Sequence, residues 1–132
     1  MMWAWQKAGI ATPVARCANG EQALDLLFRR GKYAHVQSTE LPAMIILDLN
    51  LPLTDGRSVL AAVKADDALK CIPVVELTTS SNPKDVVTCY RHGANSYVLK
   101  PVNMARLRDI LQKIVSYWMS VVYLPKPGEV HG

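Results

Sequence analysis

Three short apolar runs in this chain are each followed at once by side chains able to do chemistry. Asp48 closes the run beginning MIIL, Thr78-Thr79-Ser80 follows IPVVEL, and Lys100-Pro101 follows SYVL. If the runs are parallel strands of one sheet, a carboxylate, a hydroxyl and an ammonium meet at the carboxyl-end rim. That is where open α/β sheets bind their ligands. An Asp after a strand is ordinarily a turn residue, and a Thr there is ordinarily a cap. Three such groups at three consecutive strand ends predict a site. The other candidates are weaker. His35, His92 and His131 fall in a loop, near a helix end and in the tail, with no metal-ligand spacing, and read as surface residues. Cys17, Cys71 and Cys89 are odd in number and far apart, which points to a reducing compartment and away from a zinc cluster. Trp3 and Trp5 read as packing residues.

The elements that must position these groups alternate between short apolar runs and helix-period segments, the pattern of a parallel α/β sheet. Met2 to Lys7 reads as the end of a helix closed by Gly9. Pro13 to Ala18 reads as a strand. Asn19, with Gln22 three residues on, opens a helix through Ala23, Leu24, Leu27 and Phe28 that Gly31 stops. Ala43 to Leu49 is too continuously apolar for a strand exposed on one face. A helix after Asp55-Gly56 turns Leu60, Val63 and Ala61 inward, and Ile72 to Leu77 is the next strand. Asn82-Pro83-Lys84-Asp85 is a strong helix start for a segment carrying Val86, Val87 and Tyr90 and ending at Gly93. Ser96 to Leu99 is the last strand. Asn103 caps a final helix with Met104, Leu107, Leu111, Ile114 and Trp118 at 3–4 spacing, and Pro125 and Pro127 end regular structure.

Composition supports one domain with a proper core: 132 residues, 50% apolar and 20% charged, enough to fold without disulfides or metals. The division expected is a domain over residues 1–124 and a flexible tail over 125–132. No apolar run is long enough for a spanning helix, and the first residues do not read as a signal peptide, so neither membrane nor export is expected. The net charge of +4 comes from scattered basic residues, so no nucleic acid is expected as a partner.

MIILDLNLPLTDG, VVELTTSSNP and SYVLKPV resemble the signature blocks of bacterial response-regulator receiver domains. LDLNLP, LTTSSNP and a YW near the end of the last helix are similar to the small single-domain regulators associated with bacterial phytochromes. The resemblance runs from about Ala8 to Leu124. It implies a flavodoxin-like doubly wound parallel sheet with helices on both faces. It makes Asp48 the phospho-accepting nucleophile, because an acyl phosphate is high in energy and easily hydrolysed. Lys100 would pair with phosphoryl oxygens and the Thr78 hydroxyl would hydrogen-bond another. Asp48 and the Asn50 backbone carbonyl would hold Mg²⁺, and Pro52 and Gly56 would shape the adjoining loop. Tyr97 would be an aromatic switch turning inward as Thr78 moves, and the Lys100–Pro101 bond would be cis. The implied protein is a cytoplasmic single-domain response regulator, phosphorylated by a sensor histidine kinase and signalling through a downstream protein target. It is not an enzyme beyond self-catalysed phosphoryl transfer and hydrolysis. Binding would change at the face formed by the 82–93 helix, the Tyr97 strand and the last helix.

The resemblance breaks at the start. Receiver domains open with a buried strand ending in two acidic residues that hold Mg²⁺, whereas the first carboxylate here is Glu21. The sheet is therefore expected to lack its first, interior strand, and Mg²⁺ binding should be weakened. Three resolutions are open: a start further upstream, direct pairing of PVARCA with AMIILDL, or exchange of elements in a homodimer. Glu76 is a second departure, a carboxylate where the family has an aliphatic residue. Both departures favour an alternative, a degenerate receiver acting as a phosphorylation-independent interaction or dimerisation module. An FMN-binding enzyme is a poorer rival, since no Ser/Thr/Gly-rich phosphate loop is present.

Overall fold

The computed structural model describes residues 2–6, 14–17, 20–31, 42–48 and 56–125. The order of elements is β1 (Met2–Gln6), β2 (Val14–Cys17), α1 (Gly20–Phe28), β3 (Pro42–Asp48), α2 (Gly56–Ala65), β4 (Val74–Thr78), α3 (Pro83–Arg91), β5 (Ser96–Leu99) and α4 (Met104–Ser116), with a π-helical turn at Tyr117–Val121. The sheet has the order β2-β1-β3-β4-β5. β3, β4 and β5 are parallel, with Asp48 opposite Leu77 and Thr78 opposite Leu99.

β1 corrects the sequence reading in two respects. Met2–Gln6 is a strand and not the end of a helix. It takes the interior place beside β3, running antiparallel to both neighbours, with Met2 opposite both Cys17 and Leu47. The family's parallel first strand does not stand there, yet no slot is left beside β3. Val14–Cys17, the described part of PVARCA, accordingly pairs with β1 and does not move over onto β3. The physical reason is connection length. Residues 7–13 are fewer than the dozen or so needed for a parallel crossover, so two strands joined by them pair antiparallel.

The continuous apolar run of β3 is explained by burial on both faces. On one face Ile45 and Leu47 pack with Ala23 and Leu27 of α1 and with Val59, Leu60 and Val63 of α2. On the other, Met44 and Ile46 join Val75 and Leu77 beneath Leu107, Leu111, Ile114 and Trp118 of the α4 end. Helices on both faces of a mainly parallel sheet make the doubly wound, flavodoxin-like class. In α2 the inward set is Val59, Leu60 and Val63, while Ala61 faces solvent. In α3 the buried residue is Cys89. Val87 and Tyr90 are about half exposed, at 47% and 49%, and Met104 is exposed at the start of α4.

The expected caps form. Asn82 Oδ1 accepts from the Lys84 N–H at 2.9 Å, with Pro83 in the first helical position. Asn103 Oδ1 accepts from Ala105 N–H and Arg106 N–H. The Asn19 cap lies outside the described residues. Gly93 ends α3 at φ +99°, and a Cβ there would stand 2.9 Å from Lys64 Cγ. Gly93→Ala is expected to cost roughly 1–3 kcal/mol, read as a lower urea midpoint, through left-handed strain and this clash.

Lys64 joins three segments at the opposite end of the sheet from Asp48. Its ammonium donates to Lys70 O at 3.0 Å, Ile72 O at 2.9 Å and Asn95 Oδ1 at 3.1 Å. The same Asn95 oxygen accepts from Val74 N–H, the first of β4. Burial lowers the Lys64 pKa below the ordinary lysine value of 10.5, with Cys71 opposing. Between the folded and unfolded values the unfolded chain binds more protons, so this group's contribution to stability rises with pH in that window. Lys64→Met should lower stability at neutral pH by about 1–3 kcal/mol, from carbonyls left without donors. It should also flatten the alkaline rise in unfolding free energy, measured by urea titration at neutral and alkaline pH.

Candidate functional site

Three adjacent strands deliver the predicted groups to one rim. Asp48 is the last residue of β3, Thr78 the last of β4, and Lys100 follows β5 directly. Lys100 Nζ lies 2.8 Å from Asp48 Oδ2, joining residues 52 positions apart in the chain. The Asp48 side chain is 5% exposed and that of Lys100 30%, so the pair is shielded on the carboxylate side and open to solvent on the ammonium side. Shielding of this kind strengthens the attraction and makes loss of either partner costly. Lys100 is held there by its backbone, whose N–H donates to Thr78 O at 2.7 Å. No cis peptide occurs among the described residues, so the Lys100–Pro101 bond is trans, contrary to the family expectation. The β5 register and this backbone bond suffice to bring the ammonium to Asp48.

Thr78 is buried at 1% exposure, and its Oγ1 accepts from Ser80 N–H at 3.1 Å. Tyr97 packs partly buried against the core, and its hydroxyl donates to Ser80 O at 2.7 Å. The Tyr97 N–H in turn donates to Tyr90 Oη at 3.1 Å, tying β5 to α3. Asp48, Thr78, Lys100 and Tyr97 are thus linked through β4 and its outgoing turn. Asn50 and Pro52 lie outside the described residues, while Gly56 is the first residue of α2. His92 is exposed at the end of α3; His35 and His131 lie outside the described residues. Glu76 is fully buried on β4, opposite Leu47 and Tyr97.

Sequence reasoning did not connect Ser80 with Asp85. Ser80 Oγ donates to Asp85 Oδ2 at 2.7 Å and accepts from Asn82 N–H at 3.3 Å. Arg57 of α2 stands 4.0 Å from the other Asp85 oxygen. The available signal was an acid in the first turn of α3, three residues after its cap, where a carboxylate can reach back to the preceding loop.

Residues 3–112 match the family described as response regulator receiver domain. The chain is a response-regulator receiver domain. The receiver domain is 43% identical over 107 residues to the response regulator Rcp1 of Synechocystis, covering 81% of this chain and 71% of Rcp1. It is 34% identical over 128 residues to the probable methanogenesis regulatory protein FilR2 of Methanothrix harundinacea, covering 97% and 80%. Its fold superposes on the phosphorylated cyanobacterial phytochrome response regulator RcpA with a TM-score of 0.82 at 38% identity, over 91% of this chain and 84% of that one. The Mn²⁺-bound form of Rcp1 gives a TM-score of 0.72 at 43% identity, over 81% and 75%. The receiver domain thus belongs with two-component response regulators, among them phytochrome-associated ones.

Receiver structures bind Mn²⁺ or Mg²⁺, as the Mn²⁺ form of Rcp1 does. Among the described residues here, no group of three His, Cys, Asp or Glu side chains gathers to hold such an ion. The residue beside the rim end of β3 in β1 is Met2, which brings no carboxylate. Mg²⁺ demands near-octahedral oxygen coordination, and Asp48 alone does not meet it. The described donor set does not fit a tight Mg²⁺ site.

Proposed function

We propose that this receiver domain, residues 1–124 with 125–132 as a tail, is a cytoplasmic single-domain response regulator that accepts a phosphoryl group on Asp48. The observation carrying this reading is the 2.8 Å contact between Lys100 and a buried Asp48 at the rim where Thr78 also ends its strand. One Asp48 oxygen attacks the phosphorus of a phosphohistidine on a sensor kinase. The P–O bond forms as the P–N bond breaks, and the imidazole leaves and takes up a proton. Lys100 stays beside the transferred group as its counter-ion, and the Thr78 hydroxyl donates to a second phosphoryl oxygen. Hydrolysis of the acyl phosphate resets the protein. Mg²⁺, where bound, would contact Asp48 and the Asn50 carbonyl and would neutralise charge on the phosphoryl group. With so few ligands among the described residues a low affinity is expected, and Lys100 would carry most of the neutralisation. The output is altered binding of a downstream protein at the face of α3, β5 and α4, with Tyr97 as its switch.

A second reading, a phosphorylation-independent interaction module or homodimer, is favoured by the acid-free β1 beside β3 and by buried Glu76. Intact mass after incubation with acetyl phosphate, with and without Mg²⁺, separates the two. The expected result is one phosphoryl adduct, mapped to Asp48, with a shallow Mg²⁺ dependence. No adduct at saturating acetyl phosphate and Mg²⁺ overturns the first reading in favour of the second.

A further inference from the structure

We propose that Arg57 is a second cation of the phosphoryl site. It stands beside Asp85 in the unmodified protein and turns to the phosphoryl group as that group reaches Asp48, joining Lys100 in neutralising it. The proposal rests on the reading above in taking Asp48 as the acceptor.

Consecutive contacts join Arg57 to the rim. Arg57 is the second residue of α2, the helix that follows β3 and Asp48, and Asp85 lies in the first turn of α3, which follows β4 and Thr78. Arg57 Nη2 is 4.0 Å from Asp85 Oδ1. Asp85 Oδ2 accepts from Ser80 Oγ at 2.7 Å, and the Ser80 N–H donates to Thr78 Oγ1 at 3.1 Å. The guanidinium is therefore linked, through one carboxylate and one turn, to the hydroxyl that ends β4 beside the strand that Asp48 ends.

The Arg57–Asp85 contact is suited to exchange. Its side chains are 47% and 33% exposed and 4.0 Å apart, a separation beyond hydrogen-bond length, and such pairs contribute little. Asp85 offers a single negative charge. A phosphoryl group offers nearly two, on three oxygens that suit the planar fork of a guanidinium. Asp85 keeps the Ser80 hydroxyl as a donor when Arg57 turns away. The described rim does not fit a tight Mg²⁺ site, and Lys100 brings one positive charge against the two. Arg57 supplies the other.

The test follows adduct formation from acetyl phosphate by intact mass over time, on the full chain in EDTA. One Asp48 oxygen attacks phosphorus, the new P–O bond forms as the bond to acetate breaks, and acetate leaves with the electron pair. Arg57→Met should slow the reaction about tenfold, and Arg57→Lys, which keeps the charge without the fork, should recover part of it. Asp85→Asn keeps an acceptor for Ser80 and removes the competing charge, so it should speed the reaction about threefold. That gain should vanish in the Arg57→Met background, since it acts through Arg57. A merely structural ion pair predicts the opposite, with Arg57→Met and Asp85→Asn changing the rate in the same direction. An unchanged rate in Arg57→Met, or a gain from Asp85→Asn that persists without Arg57, overturns the proposal. A wild-type adduct that forms with Mg²⁺ but not in EDTA also overturns it and leaves the phosphorylation reading standing, whereas no adduct in either condition overturns both.

Discussion

Replacing Asp48 with Asn is expected to abolish phosphoryl uptake from acetyl phosphate, with incorporation at least about a hundredfold lower by intact mass. The amide preserves the shape of the side chain at a position 4% exposed, so loss of uptake reports loss of the nucleophile and not of the fold. An amide oxygen does not form a hydrolysable acyl phosphate, and among the described residues no other carboxylate of the rim takes over. Glu76 is on β4, one pleat below Thr78. The paired variant Lys100→Met keeps the nucleophile and removes the ammonium 2.8 Å from it. It should retain a slow, detectable adduct and lose roughly 1–3 kcal/mol of stability, because a shielded carboxylate is left without its counter-ion, discounted for the solvent around Lys100. Full uptake by Asp48→Asn would remove Asp48 from the proposed role.

Replacing Glu76 with Leu is expected to stabilise the protein by about 1–3 kcal/mol. Glu76 has 0% exposure and sits between Leu47 and Tyr97 in the sheet, on the face lined by Ile45, Leu47 and Val74. Taking a carboxylate out of water is costly even where it finds partners, and an apolar side chain of similar volume at such a site is commonly neutral or better. The measurement is urea unfolding, with a higher midpoint and an unchanged slope. A lower midpoint would mean that the interactions of the carboxylate outweigh its desolvation.

Much of the site was legible because its logic is local. Asp48, Thr78 and Lys100 each end or follow a short apolar run, and one parallel sheet suffices to bring them to a common rim. Asn82 and Asn103 could be read as caps because their chemistry acts within three residues. The double burial of β3 followed from a run with no polar alternation. Met2–Gln6 was misread because Met, Trp, Ala and Gln are all tolerated in helices, and only pairing on both sides makes them a strand. The period-two placing of Trp3 and Trp5 and the short connection to β2 were the available signals. Val87, Tyr90 and Met104 follow helix periodicity, yet that periodicity alone did not say which of the apolar positions would be covered. The Ser80–Asp85 contact escaped because it crosses from a turn into a helix.

The antiparallel course of β1 decides where the polypeptide enters the sheet. Met2 lies opposite Leu47, one residue short of Asp48 along β3, so β1 begins at the Asp48 end of the sheet. An affinity handle fused there would crowd the approach of a kinase, whereas one attached after Pro125 would leave that approach open. Fusions at the two ends should therefore differ in phosphotransfer rate while unfolding alike.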